Sequence, residues 1–172
     1  TVQKKPPINS KIESLTITNV PVCGYQQFEL RNSAGQQHSM FISPDIATCP
    51  TCIDELLDTS NRRYQYAFIS CSQCGPRYSI INALPYDRER TAMHTFPLCQ
   101  ACQNEYENPS DRRFHAQTIA CPDCGPTIEL LTHQGKYLAD NITAIKQASE
   151  ALTKGKIVAL KGIGGFQLLA NA

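Results

Sequence analysis

The feature that most constrains this chain is a ladder of four Cys-x-x-Cys pairs: Cys49/Cys52, Cys71/Cys74, Cys99/Cys102 and Cys121/Cys124. Eighteen residues separate the first pair from the second, and eighteen separate the third from the fourth. The second half thus repeats the first at an offset of fifty positions. A Cys-x-x-Cys turn aims two thiolates at one point. Two such turns close a tetrahedron suited to a d¹⁰ ion with no ligand-field preference. One pair alone would fit a redox motif, whereas four pairs in two equal registers predict two metal sites. All eight cysteines are therefore expected to be ligands of two structural Zn²⁺. Four thiolates saturate each ion and leave no open position for a reactive water, so a catalytic zinc is not expected. Four pairs combine into two sites in three ways. The equal spacing favours Cys49, Cys52, Cys71 and Cys74 at one site and Cys99, Cys102, Cys121 and Cys124 at the other. A cross-braced set, with the first pair joined to the third, is the alternative. Two sequentially paired units predict that Cys71→Ser unfolds the first and leaves the second largely intact.

The repeat extends beyond cysteine. Glu55 matches Glu105, Arg62-Arg63 matches Arg112-Arg113, and Tyr64 matches Phe114, all at the same offset. Paired arginines could read a phosphate or a nucleic acid. Because they recur in step with the ligands, they are expected instead to neutralise the anionic thiolate centres and to pair with Glu55 and Glu105. His94 and His115 are possible alternative ligands. Position 65, which matches His115, is Gln, and each site already has four cysteines, so both histidines are read as bystanders.

Composition agrees with small metal-stapled cores. The 172 residues are 41% hydrophobic and contain no Trp, and small cores need staples. The ninth cysteine, Cys23, stands outside the ladder and is expected to be a small, partly buried hydrophobe rather than a reactive thiol. The formal charge of +1 names no partner. Eight thiolates around two divalent ions would make the balance mildly acidic, which weakens a case for nucleic acid. No secretory leader is visible and no apolar run reaches the length of a membrane span, so neither a membrane nor a nucleic-acid partner is expected. The metal spacing argues against a disulfide scaffold and for a reduced, cytoplasmic chain.

The flanks are read from their periodicity. The run at 14–20 alternates as a half-buried strand does, and 28–35 reads as a second short strand. A short helix is expected after Cys52 and after Cys102, and Gly75-Pro76 and Gly125-Pro126 mark tight knuckles. Residues 78–84 look strand-like and 127–132 read as a strand. The clearest helix spans 141–154, with Ile142, Ile145, Ala148, Ala151 and Leu152 on one face, Asp140 or Asn141 as its cap and Gly155 as its stop. Residues 156–160 then read as a buried strand leading into the turn Lys161-Gly162-Ile163-Gly164-Gly165 and an apolar run at 166–170. The expected fold class is small α+β: tandem duplicated four-cysteine zinc-finger units flanked by partial α/β domains.

These residues carry a family resemblance. Pro44-Asp45, the Cys49 and Cys52 pair, Arg62-Arg63-Tyr64, Cys71-x-x-Cys74-Gly-Pro-Arg77 and Ala83-Leu-Pro-Tyr-Asp-Arg88 resemble the HypF carbamoyltransferases of NiFe-hydrogenase maturation. So do Phe96-Pro-Leu-Cys99, the stretch from Asp111 to Gln117, and Cys121-Pro-x-Cys124-Gly-Pro126. Residues 156–166 look like the opening of that family's YrdC-like domain. The resemblance implies an acylphosphatase-like tail at 1–43, a tandem finger domain at 44–130 (units 44–80 and 94–130), and the start of a YrdC-like domain at 131–172. It implies a parent enzyme that hydrolyses carbamoyl phosphate, adenylates carbamate with ATP and passes the carbamoyl group to the C-terminal cysteine of HypE. Lys161, Gly162, Gly164 and Gly165 would then lie at the entrance of the carbamoyl-adenylate site. No catalytic residue is expected in the stretch itself. A free-standing zinc-ribbon module that binds protein or nucleic acid is the rival reading.

Overall fold

The computed structural model describes residues 6, 10, 12, 14–27 and 42–171. The chain divides into two units, Thr1–Ser39 and Met40–Ala172. In the first, the alternating run at 14–20 forms no strand. Alternation favours an extended chain, but a strand also needs a hydrogen-bonded neighbour, and none pairs with it among the described residues. The expected strand at 28–35 lies outside the described residues. Cys23 is exposed, so the expectation of partial burial is not met.

The second unit holds the fingers. Helix α1, Pro50–Leu57, begins inside the first cysteine pair, with Cys49 as its N-cap and Pro50 at its first position. Proline suits that position because its missing N–H would have no intrahelical partner. Helix α2, Gln100–Glu107, repeats this arrangement with Cys99 as N-cap. The helices therefore incorporate the second cysteine of each pair rather than following it, and they bury Cys52 and Cys102 completely.

After each helix the chain doubles back through two side-chain turns. Asp58 accepts from the Ser60 N–H (2.9 Å) and Asn61 from the Arg63 N–H (2.9 Å). Asn108 accepts from Ser110 (3.0 Å) and Asp111 from Arg113 (2.7 Å) at the matching positions. Asp and Asn favour such turns because their short side chains reach the backbone two residues on. The return is completed at Gln65 and His115, both in the left-handed region (φ 55° and 50°). Their N–H groups bond to Leu56 O (2.8 Å) and Tyr106 O (3.0 Å), tying each return to the end of its helix.

Each finger closes over a small core. Tyr66, Ile69, Ile80 and Met93 surround Cys52, Cys71 and Cys74 in the first, and Ala116 and Ile119 surround Cys102 and Cys121 in the second. Between the fingers, residues 78–84 form a 3₁₀ turn, Tyr78–Ile80, and a single bridge from Ile81 to Thr91, not the expected strand. Two more 3₁₀ turns follow, Arg88–Arg90 and Ala92–Thr95.

Beyond the fingers, β1 (Glu129–Leu131) pairs antiparallel with β2 (Tyr137–Asp140), and α3 (Asn141–Thr153) packs on them. Asp140 holds the N-cap position without a side-chain capping bond, while Asn141 Oδ1 accepts from the Ile128 N–H. Gly155 (φ 72°) ends α3 as expected. Its N–H bonds to Leu152 O (2.8 Å) and that of Lys156 to Ala151 O (3.0 Å), the paired closure that satisfies the last carbonyls. β3 (Val158–Gly162) and β4 (Gly165–Leu169) form a two-stranded hairpin about Ile163-Gly164. The strand was expected to be buried. Instead Leu160, Phe166 and Leu168 are exposed, because a two-stranded sheet has no second layer to cover it.

Candidate metal centres

The sulfur atoms form two separate clusters: Cys49, Cys52, Cys71 and Cys74, and Cys99, Cys102, Cys121 and Cys124. The sequential pairing is the one observed, and the cross-braced ligand set is not. In the first cluster the Sγ–Sγ separations are 3.8 Å (Cys49–Cys71), 3.7 Å (Cys71–Cys74) and 3.6 Å (Cys74–Cys52). In the second they are 3.7 Å (Cys99–Cys121), 3.6 Å (Cys121–Cys124) and 3.6 Å (Cys124–Cys102). A disulfide brings its sulfurs to about 2.05 Å. A tetrahedron with Zn–S arms of about 2.3 Å has edges of about 3.8 Å. The spacing is therefore that of a four-thiolate zinc site, and all eight cysteines are free of disulfides.

The ladder places these thiols unequally. Burial raises Cys52 and Cys71, and pushes Cys102 up to about 12. Burial acts on Cys49 and Cys99 as well. There the backbone N–H of Cys52 or Cys102, at the positive start of the helix, and the neighbouring thiols outweigh it and bring each down to about 7. Cys49 and Cys99 are thus readier to ionise than the buried Cys52, Cys71 and Cys102.

The arginine pairs do what the repeat predicted, but each serves the opposite finger. Arg62 Nη2 lies 3.5 Å from Cys99 Sγ and 3.3 Å from Cys102 Sγ, and Nη1 donates to Glu105 at 2.8 Å. Arg63, 1% exposed, donates to Glu105, to Cys102 Sγ (3.4 Å) and to Ala120 O (2.8 Å). In return Arg112 Nη2 reaches Cys49 Sγ (3.2 Å) and Cys52 Sγ (3.3 Å), and Nη1 donates to Glu55 (2.6 Å). Arg113, 4% exposed, bonds Glu55 and donates to Ser70 O (3.0 Å). Burial alone would lower the Arg62 and Arg112 pKa values, but the partner carboxylates and sulfurs raise both. The same arginines hold Glu55 and Glu105 below the ordinary glutamate value against the opposing effect of burial.

Other contacts across the fingers complete the interlock. Ser70 Oγ donates to Thr118 Oγ1 (2.9 Å), Ser72 Oγ to Arg112 O (2.9 Å) and Tyr66 OH to Pro126 O (3.1 Å). Two residues named only for the resemblance turn out to hold the fingers in place. Asp45 accepts from the N–H groups of Arg77 (2.8 Å) and Ser79 (3.1 Å), pinning the entry of the first finger. Arg88 donates to Gln117 O, Ile119 O and Phe96 O, each at 2.8 Å, and nails the connecting segment to the second finger. The fifty-residue repeat does not reveal Arg88, whose counterpart, Leu138, lies outside both fingers. His94 and His115 stay outside both clusters. His94 Nδ1–H donates to Thr91 O (2.9 Å), and the His115 ring packs against Tyr106 and Phe114.

Lys161 and its glycines belong to neither cluster. Lys161 is a strand residue paired with Phe166, its Nζ 5.8 Å from that ring, and Gly162 pairs with Gly165. Among the described residues no helix is long and apolar enough to cross a membrane.

The fold and the two clusters define a class: a tandem four-cysteine finger module whose halves share their outer ligands. A family model for the HypF finger matches residues 48–81 and 98–131. A carbamoyltransferase HypF from Synechocystis is 53% identical over 161 residues, covering 94% of this chain and 21% of the relative. One from Rhizobium leguminosarum is 48% identical over 171 residues, covering 99% and 21%. The crystal structure of a full-length HypF in its phosphate- and nucleotide-bound form superposes with a TM-score of 0.85 at 42% identity, covering 99% of this chain and 22% of that one. The chain belongs to the HypF family, and it spans about a fifth of the length of the relatives it matches.

Proposed function

We propose that this chain is the rigid zinc module of a HypF-type carbamoyltransferase, in which two structural Zn²⁺ hold catalytic domains in fixed relation. The observation that carries this reading is the saturated shell: four sulfurs at tetrahedral spacing in each finger, with guanidinium groups on the sulfurs of the first pair. A centre so enclosed supplies folding energy and leaves no position for substrate. The relatives are named carbamoyltransferases, which supports assigning the parent reaction to this family. That reaction would use carbamoyl phosphate and ATP to carbamoylate the C-terminal cysteine of HypE, in the reducing cytoplasm. Residues 1–43 would belong to the acylphosphatase domain, 44–130 to the fingers and 131–172 to the YrdC-like domain.

Carbamate decomposes in water, so its passage between sites favours domains that do not drift apart. Lys161, Gly162, Gly164 and Gly165 would border the carbamoyl-adenylate site. The turn offers room for this, since a Cβ at Gly164 would meet nothing within 4 Å. Of the rival reading, a free-standing zinc-ribbon module that binds protein or nucleic acid, the nucleic-acid form is disfavoured because all four paired arginines already engage carboxylates.

Metal analysis of the reduced, purified chain tests the proposal. About two zinc per chain are expected, together with no hydrolysis of carbamoyl phosphate and no ATP–pyrophosphate exchange. One zinc or none refutes the structural assignment. Either activity in the isolated chain refutes its non-catalytic role.

A further inference from the structure

We infer that the two metal sites load as one cooperative unit, because the outer shell of each is supplied by the other finger. This rests on the reading that both clusters hold zinc. Four thiolates and one divalent ion leave each centre with a net charge of about −2. That charge is met from the opposite finger: Arg62 and Arg63 for Cys99 and Cys102, and Arg112 for Cys49 and Cys52.

The delivery of these arginines depends on the metal of their own finger. Arg62 and Arg63 lie on the return segment between Cys52 and Cys71, whose two ends are the ligand pairs of the first finger, so an ion shared by those pairs fixes both ends of the segment. Arg112 and Arg113 lie between Cys102 and Cys121 in the same way. An ion in the first finger therefore orders the guanidinium groups that stabilise the thiolates of the second, and also supplies the partners of Glu105. An ion in the second finger does the same for Cys49, Cys52 and Glu55. Linkage makes the effect reciprocal: whatever the first ion adds to the affinity of the second site, the second adds to the first. Outer-shell partners of metal ligands typically change affinity by about 10- to 100-fold. A chain with one ion is thus the least favoured state, and chelation of either site opens both.

Two measurements on the full chain test this. In the first, reduced apo-protein receives one equivalent of zinc and is weighed intact by native mass spectrometry. Independent equal sites would place about half of the chains in the one-zinc state. Cooperative loading predicts that this state is a minor species beside apo and two-zinc chains. In the second, zinc-loaded Arg112→Ala and Arg62→Ala chains are alkylated with N-ethylmaleimide and the labelled cysteines are identified by peptide mass. The crossed shell predicts that Arg112→Ala, a change in the second finger, speeds labelling of Cys49 and Cys52 roughly tenfold or more over wild type before Cys99 and Cys102 respond. Arg62→Ala shows the mirror pattern. A one-zinc species near half of the total, or labelling that begins in the finger carrying the substitution, overturns the inference while leaving two zinc ions per chain in place. Fewer than two ions at saturation overturns the zinc reading beneath it.

Discussion

Gly125→Ala offers a direct test of how tightly the fingers are wedged together. Gly125 follows the last cysteine and lies against the first finger. A Cβ there would sit 2.1 Å from Tyr66 Oη, 2.5 Å from Ala120 Cβ and 3.1 Å from Cys121 O. Gly125 is not in the left-handed region, so alanine meets no backbone penalty and the cost is purely steric. Tyr66 is 5% exposed and donates to Pro126 O at 3.1 Å, so its ring can yield only by breaking that bond. Overpacking of this kind costs about 1–3 kcal/mol, and a lost hydrogen bond adds about 1 kcal/mol. Gly125→Ala should therefore destabilise the zinc-loaded chain by about 2–4 kcal/mol. Tyr66→Phe alone should cost only the hydrogen bond, about 1 kcal/mol. In the Tyr66→Phe background the shortest contact is gone, though that with Ala120 remains, so the glycine change should cost at least about 1 kcal/mol less than in wild type. The assay is urea unfolding in reductant at fixed free zinc, since bound metal shifts apparent stability by mass action. Costs that add to within about 0.5 kcal/mol would mean that Tyr66 and Gly125 do not meet.

Three further outcomes follow from the same geometry. Glu105→Gln leaves Arg63, buried at 1% exposure, without its carboxylate, and should destabilise the protein by about 3 kcal/mol, read as a fall in urea midpoint at constant m-value. Zinc binding should expel protons. Cys52 and Cys71 in one finger and Cys102 and Cys121 in the other are held protonated near neutrality by burial, so about two or more protons should leave per ion, measured by calorimetry in buffers of different ionisation enthalpy. Metal holds these groups as thiolates, the equivalent of a depressed pKa, so the stability it confers is full on the alkaline side and is lost as pH falls. Zero proton release would mean the clusters are pre-ionised. Cys71→Ser should lower zinc content in both fingers, contrary to the independence expected from sequentially paired ligands, because the crossed arginines join units that share no ligand. A second finger with unchanged zinc content would refute that coupling.

Much of the site was legible because a metal centre writes a local pattern. The division of the eight cysteines into two sets of four followed from the eighteen-residue spacing, and the two sulfur clusters have that membership. The repeat also marked Glu55, Glu105 and the arginine pairs. A further layer of it, Asp58/Asn108 and Asn61/Asp111, went unread, and the structure shows that these side-chain turns reverse the chain after each helix. Legibility failed in the flanks. Residues 14–20 alternate and 78–84 look strand-like, yet neither forms a strand, because strand formation depends on a hydrogen-bonding neighbour and the apolar pattern records only which residues are apolar. The hairpin β3–β4 has the composition of a buried strand pair but is exposed.

By itself the sequence determined the pattern of the centres: eight cysteines in two equally spaced sets, a short helix beside the first pair of each set, and charged partners in matching positions. Each of these is set within one repeat unit, where spacing along the chain controls which atoms meet. Only the tertiary structure decided which arginine serves which sulfur. Both fingers carry the same residues at the same offsets, so a cis and a trans assignment read identically in one dimension. The packed arrangement breaks the tie: Arg63 bonds to Ala120 O and Arg113 to Ser70 O, which carries each pair across to the opposite cluster and makes two separate ligand sets one interlocked unit.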